Sequence, residues 1–468
     1  MYINFTQLER FLTLCSLERN KVTEEGNETD NQGQPPLNLE DMRRIVERHF
    51  IVFEAYTDLD SSPTFLLPSA QDTKIPFQKL IEDLKQYGLL ALLRKAEKVP
   101  QTYQIYTDYR PLEKEENELV LKIFPTPEPK KTRPPIINIL LLIATIFTIS
   151  YTGLGRVQVY NAYGIVYGAF AGYIYALYGD PSVLLSAYVG NIWSWYNDPS
   201  LLIFTFTASL LAIIGLHEMG HYVTSKIRGQ KASLPFFIPG FPPIGTFGAV
   251  IFQRTPTINR DKLFELGLMG PVTGFVITLI VLILSIYSSP LVYPPILYYQ
   301  VKIELQILFT YGLNTYYTLL NLGYPSIFFG SSIPFPYLYN ILMSLLRPVS
   351  PLTLRYINPL SWAAWIGMLV TALNLFPIGM LDGGHMARSF LSQRQHTIAS
   401  IIAAGAMILI SDAYLLMALL VLLMSPRGGH PGALDDVSPI AKWKIAVFAG
   451  MIIIAVLTIP PLGWGYLF

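Results

Sequence analysis

Eight apolar stretches follow one another between Ile136 and Leu462: Ile136–Leu154, Tyr160–Tyr178, Ser182–Tyr196, Leu201–Val223, Phe264–Tyr287, Leu360–Leu381, Thr397–Met424 and Ile445–Leu462. About twenty apolar residues make a helix long enough to cross a bilayer. Inside lipid a segment must satisfy its own backbone hydrogen bonds, so stretches of this length select helices. The second and third are Gly- and Tyr-rich and short enough to read as interfacial or re-entrant, and Thr397–Met424, with Ser411-Asp412 at its middle, reads as a hairpin. The expected fold class is a polytopic α-helical membrane protein, a multi-span bundle with a membrane-associated strand, behind a small soluble α+β domain.

Charge draws the border between the two materials. Charged residues are 14% of the 468, against about 25% in soluble domains. Residues 1–134 hold 18 Lys/Arg and 22 Asp/Glu, whereas the other 334 hold 15 and 10. The net charge of +1 gives no sign of a nucleic-acid partner.

Residues 1–37 are expected to be a flexible segment: "NKVTEEGNETDNQGQPPL" is polar and nearly free of bulky apolar side chains. The N-terminus does not read as a secretory signal, so the sequon at Asn27 reads as chance. Cys15 is the one cysteine, which rules out an internal disulfide. Residues 38–128 read as the α+β domain. "NLEDMRRIVERHF" and "PFQKLIEDLKQYG" have helical spacing. "FIVFEAYTD", "TFLLP", "TYQIYTD" and "ELVLKIFP" are rich in β-branched and aromatic residues and read as strands. His49 reads as a helix-end residue. The remaining divisions are 129–200, a linker and first spans; 201–287, the first half of a core; 288–357, an aromatic insertion on the outer leaflet; and 358–468, the second half.

Orientation follows from the basic residues. Lys130, Lys131 and Arg133 precede the first span, and positive flanks tend to stay inside. With a hairpin at 397–424, eleven Lys/Arg of the later loops fall on that side and four (Arg156, Lys302, Arg347, Arg355) on the other. The front domain is therefore expected to be cytoplasmic; the chain is expected to be multi-pass, in a prokaryotic cell membrane.

The chemistry-bearing stretch is "IIGLHEMGHYV", Ile213 to Val223. His217 and His221 are four apart and share one helix face, so both imidazoles reach a single metal ion. Glu218 is placed to take a proton from water. Ionisable residues at membrane depth are expensive, about 2.5–3.5 kcal/mol each on insertion scales, and normally functional. A catalytic zinc needs a third protein ligand. "LNLFPIGMLDGGHMARSF" offers Asp382, at the end of a span, with His385 as competitor at the mouth. Asn374 is a candidate donor to an oxyanion, or else an amide contact between helices. Pro377 interrupts the helix between them. His396 and His430 read as non-ligands facing the cytoplasmic side.

Taken together, "HEMGH" in a span and "NLFPIGMLDGG" far downstream resemble the site-2 protease family of intramembrane zinc metalloproteases. "GTFGAVIFQRTP" (Gly245–Pro256) is similar to the family's membrane-associated strand, and "NRDKLFELGLMGPVTGF" (Asn259–Phe275) to the segment opening its next span. "RGGHPGALDD" (Arg427–Asp436) and a domain ahead of the spans resemble the archaeal and plastid branch. The likeness covers Leu201–Asp436 without 288–357. The family's pattern is exceeded by extra spans before Leu201 and by the insertion, and no PDZ domain lies between the motifs. The resemblance implies one zinc ion per chain on His217, His221 and Asp382, Glu218 as general base and Asn374 near the scissile carbonyl. It implies transmembrane protein substrates within a lipid bilayer, while oligomeric state stays open. Two rival readings are a metal transporter or sensor using the same ligands, and an inactive scaffold; both expect Glu218→Gln to retain function.

Overall fold

The structure, a computed structural model, describes residues 37–58, 61–96, 118–126, 134–178 (backbone alone for 162–178), 198–289, 291–292, 336–347, 354–355, 358–410, 414–415, 418–419 and 430–460. The expected strand at 102–108, the stretch 182–196 and the turn of the hairpin at 397–424 lie outside these residues.

The front domain pairs a four-stranded antiparallel sheet with two helices. In chain order these are α1 (Leu39–Glu47), β1 (Glu54–Thr57), β2 (Pro63–Pro68), α2 (Lys74–Lys85), β3 (Leu89–Lys95) and β4 (Glu118–Pro125), and the sheet order is β1-β2-β4-β3. Asn38 caps α1 by accepting from the Asp41 N–H at 2.8 Å, the favoured chemistry for a helix start. Alternation along β4 sends Leu119, Leu121 and Ile123 into a core shared with Phe65, Phe77 and Leu80. His49 follows α1 and contacts Asp83 at 2.8 Å. β3 was not expected: "LLALLRK" is a short apolar run without strict alternation, and such runs do not tell strand from buried helix.

Helices build the rest: α3 (Ile136–Tyr178), α4 (Pro199–Ile227), α5 (Arg260–Ser288), α6 (Tyr337–Leu346), α7 (Pro359–Leu375), α8 (Asp382–Phe390), α9 (Gln393–Ile410) and α10 (Trp443–Thr458). Three helical stretches, 135–161, 199–227 and 260–288, are long and apolar enough to cross a membrane, and α6, α7 and α10 are shorter apolar helices. Side chains such as Phe147, Phe204 and Leu284 stand exposed on the long helices, which suits lipid better than water. α4 starts at Pro199 behind an Asp198 cap, and α5 behind an Asn259 cap. α4, α5 and α7 pack around one buried core that includes Phe206, Ile213, Leu282, Trp365 and Met368.

Two expectations need correction. Ile136–Leu154 and Tyr160–Tyr178 form one continuous helix, because Gly155 and Arg156 between them weaken the apolar pattern without breaking the backbone. Asp382 does not end a span. α7 stops at Leu375, Phe376 turns extended (φ −63°, ψ 138°), and Asp382 opens α8. The residue before a proline is disfavoured in helix, and Pro377 follows Phe376 directly.

Between α4 and α5 the chain forms a hairpin of β5 (Phe236–Pro239) and β6 (Thr246–Val250). Its open-faced aromatic residues include Phe241 and Phe247.

Candidate metal centre

His217 and His221 lie on the last turns of α4, both buried. At 1.5 Å per residue, His221 is about 9 Å inside the Ile227 end of the helix. Asp382, at the start of α8, closes on the pair from the other side. Its Oδ2 is 3.0 Å from His217 Nε2 and its Oδ1 3.2 Å from His221 Nε2. The two Nε2 atoms are 3.3 Å apart. All three donors fall within 4.8 Å of one another, a grouping that could hold a metal ion.

The neighbours fix how these side chains are presented. His221 Nδ1 donates to the Leu266 carbonyl of α5 at 2.8 Å. That bond leaves the Nε2 lone pair directed at the other two donors, the usual arrangement behind a metal-binding imidazole. α5 comes this close because Gly270 and Gly274 face the rings. A Cβ on Gly270 would sit 2.0 Å from His221 Nε2, and one on Gly274 2.9 Å from His217 Nδ1. Small residues permit such approach between apolar helices. A Cβ on Gly383 would likewise meet the Leu375 carbonyl at 2.1 Å, so the residue after Asp382 must be bare for α8 to tuck under the end of α7.

Glu218 is half-buried next to this group, and the Ile251 backbone N–H lies close to its carboxylate. The hairpin strand therefore ends beside Glu218. Asn374, one residue before the end of α7, brings its amide nitrogen to 3.5 Å from His217 Nε2. The structure thus gathers all five candidates, His217, Glu218, His221, Asn374 and Asp382, into one place.

His385 is not part of the three-donor group. It is buried with His430 and His396 in a second cluster, where His385 Nδ1 and His430 Nε2 are 2.6 Å apart and the His396 and His430 rings touch edge to face. His385, His396 and His430 stay outside the three-donor group and pack on one another inside the fold. A motif-based reading had no means of finding the Leu266 carbonyl or the Ile251 N–H, since backbone groups leave no trace in residue type.

The donor chemistry suits zinc, which takes imidazole nitrogen and carboxylate oxygen in sites with three protein ligands. Comparison with known proteins leads the same way. Residues 205–421 match the model of peptidase family M50. A rice protein named "Probable zinc metalloprotease EGY2, chloroplastic" is 29% identical over 194 residues, 42% of this chain and 30% of its own length. Rice "Probable zinc metalloprotease EGY1, chloroplastic" is 29% identical over 265 residues, 54% and 40% of the two chains. Its Arabidopsis thaliana counterpart is 25% identical over 264 residues, 54% and 42%. The chain spans less than half the length of these curated relatives. No solved structure matches it.

Proposed function

We propose, for a chain that carries a peptidase family M50 domain over residues 205–421 and is homologous to the EGY zinc metalloproteases, zinc-dependent hydrolysis of peptide bonds within the transmembrane segments of other membrane proteins. The observation that carries the proposal is the His217–His221–Asp382 group with Glu218 beside it, near one end of an apolar helix long enough to cross a membrane. Burial at that depth suits a substrate that arrives through lipid. The nearby helix end gives water a short path.

His217, His221 and Asp382 would hold the zinc ion, and the chemistry it would supply is Lewis acidity toward the peptide carbonyl and water. Glu218 takes the proton of the attacking water and returns it to the leaving amine. Asn374 donates to the oxygen of the tetrahedral adduct. A helical substrate conceals its peptide bonds in its own hydrogen bonds, so it has to unwind locally. β6 offers a place for the unwound stretch, by strand addition. Phe252 bonds to Ser233 through both its N–H and its carbonyl. By alternation Val250 also faces β5, while Ala249 and Ile251 face the Glu218 side.

The spans 135–161, 199–227 and 260–288 set the chain in its membrane as a multi-pass bundle. We place the front domain on the side that retains positive charge, the cytoplasm in a cell membrane or its equivalent in an organelle.

The test is reconstitution in liposomes with a single-span model substrate. Wild type should cleave it and lose activity to a chelator. Glu218→Gln should keep its zinc but lose about 10²–10⁴ in rate, the usual worth of a general base. Undiminished cleavage by the zinc-loaded variant would remove Glu218 from the mechanism. A wild type that moves zinc across the membrane and cuts nothing would favour the transporter reading.

A further inference from the structure

Segment 430–438, about 50 residues beyond Asp382, joins the front domain to the helix that carries the third ligand. On one side it completes the front domain. Asp435 forms a parallel bridge with Leu93 of β3 and another with Asn259, so the segment lies as a short strand between the sheet edge and the start of α5. The Leu93 N–H donates to the Leu434 carbonyl at 2.9 Å, and the Leu434 and Asp435 N–H groups donate to the carbonyls of Thr257 and Ile258 at 2.8 Å. The Leu434 side chain is buried in the front domain's own core. Arg94 of β3 donates to the Leu434 carbonyl at 2.9 Å and the Pro431 carbonyl at 3.2 Å.

On its other side the same segment grips α8. Asp436 accepts from Arg388 through both oxygens, at 3.0 and 2.6 Å, and the Arg388 side chain is almost fully buried. Arg388 Nε also donates to the His430 carbonyl at 3.2 Å. The Gly432 N–H donates to His430 Nδ1 at 3.0 Å. The proton of a neutral His430 is therefore on Nε2, which donates to His385 Nδ1 at 2.6 Å. Asp382, His385 and Arg388 are all on α8, which is only nine residues long, so its grip at two points fixes the position of its first residue.

We infer that docking of the front domain, transmitted through residues 430–438, holds Asp382 in ligating position and so sets the affinity of the site for zinc. The inference rests on the zinc reading of the site. Arg94, His430, Arg388 and Asp436 are positioning residues in this scheme. The front domain is a structural member of the metal centre, though none of its residues touches the ion.

Arg94→Ala and Lys74→Ala in the full-length protein, purified in detergent, separate this route from general loosening. Lys74 of α2 pairs with Asp261 of α5 and makes no hydrogen bond or ion pair to 430–438, so its loss leaves in place the contacts of that segment, including the Thr73–Ser438 bond beside it. Competition with a chromophoric chelator should show zinc held about 10- to 100-fold more weakly by Arg94→Ala, the usual effect of removing support behind a ligand. Lys74→Ala should bind as wild type does. Hydrogen exchange of the α8 amides in metal-free protein should accelerate in Arg94→Ala alone. Wild-type affinity and wild-type exchange in Arg94→Ala would overturn the inference, and so would equal losses in both variants. A wild type that fails to bind zinc would instead sink the proposed function, while the metal-free exchange comparison would still decide whether the coupling exists.

Discussion

Gly270 has the least room of the glycines at the site. A methyl group there would occupy the space of the His221 ring nitrogen that faces Asp382. Gly270→Ala should therefore swing the ring away and weaken zinc binding by at least roughly 10- to 100-fold. It should do so even though alanine favours helix by about 1 kcal/mol over glycine. Zinc content after dialysis against a weak chelator reads this directly. Gly405→Ala in α9, where nothing stands within 4 Å of the added carbon, serves as the silent control. Residue by residue, the side-chain part of the site was legible in the sequence. Two histidines four apart share a helix face whatever else the chain does, and few carboxylates in the apolar part compete with Asp382. What holds those side chains was hidden, because the Leu266 carbonyl and the Ile251 N–H come from backbone that any residue supplies.

Among the elements, β6 carries the prediction that bears on substrate. Ala249 faces away from β5, so Ala249→Pro removes an outward N–H while sparing the hairpin's own ladder. Cleavage should fall roughly tenfold, about the effect of one lost backbone hydrogen bond, with zinc content unchanged. Equal cleavage rates in the proline variant and wild type would dismiss strand addition. Two long apolar elements were legible to within about four residues at each end, read as Leu201–Val223 and Phe264–Tyr287, and the structure starts them behind the caps Asp198 and Asn259. The turn from α7 into α8 was harder. Pro377 signalled an interruption, but the chain direction after it depends on Gly383 passing beneath the Leu375 carbonyl, a contact that exists only once both helices are packed. β3 escaped for a related reason: its apolar run is buried by β4 on one side and closed by segment 434–436 on the other.

At the scale of the molecule, charge fastens segment 430–438 and α10 to α5 and α8, and Lys74 of the front domain joins through its pair with Asp261. Asp436 is the centre of one node, reached by Arg388 and by Arg260 at 3.1 Å. Lys444, buried at the start of α10, joins Asp261 and Glu265 in another. Burial by itself would raise the Asp436 carboxyl. The hydrogen bonds from Arg388 and the charges of Arg388, Arg94 and Arg260 outweigh it and hold the group below its ordinary range. A lowered folded value lends stability that is complete above the unfolded value, about 3.9, and is lost as pH falls through the folded one. The grip of segment 430–438 on α8 and α5 should thus be constant from neutral pH to about pH 5 and fail only in stronger acid. Limited proteolysis across that range would report it; release between pH 6 and 7 would point to histidine instead. At the opposite end of α5, Arg347 donates to the Ile286 and Ser289 carbonyls, as a cation at a helix C-terminus should. The sheet of the front domain is finished by residues more than 300 positions downstream, with consequences for biosynthesis. A ribosome delivers β1 to β4 first, then both histidines, the glutamate and the aspartate, and only afterwards the strand that seals β3. A nascent chain halted before residue 430 would possess every reactive group yet lack the brace that aligns them. Under the proposed function, the site would then be aligned only once residues 430–438 have been made and have docked on β3 and α8.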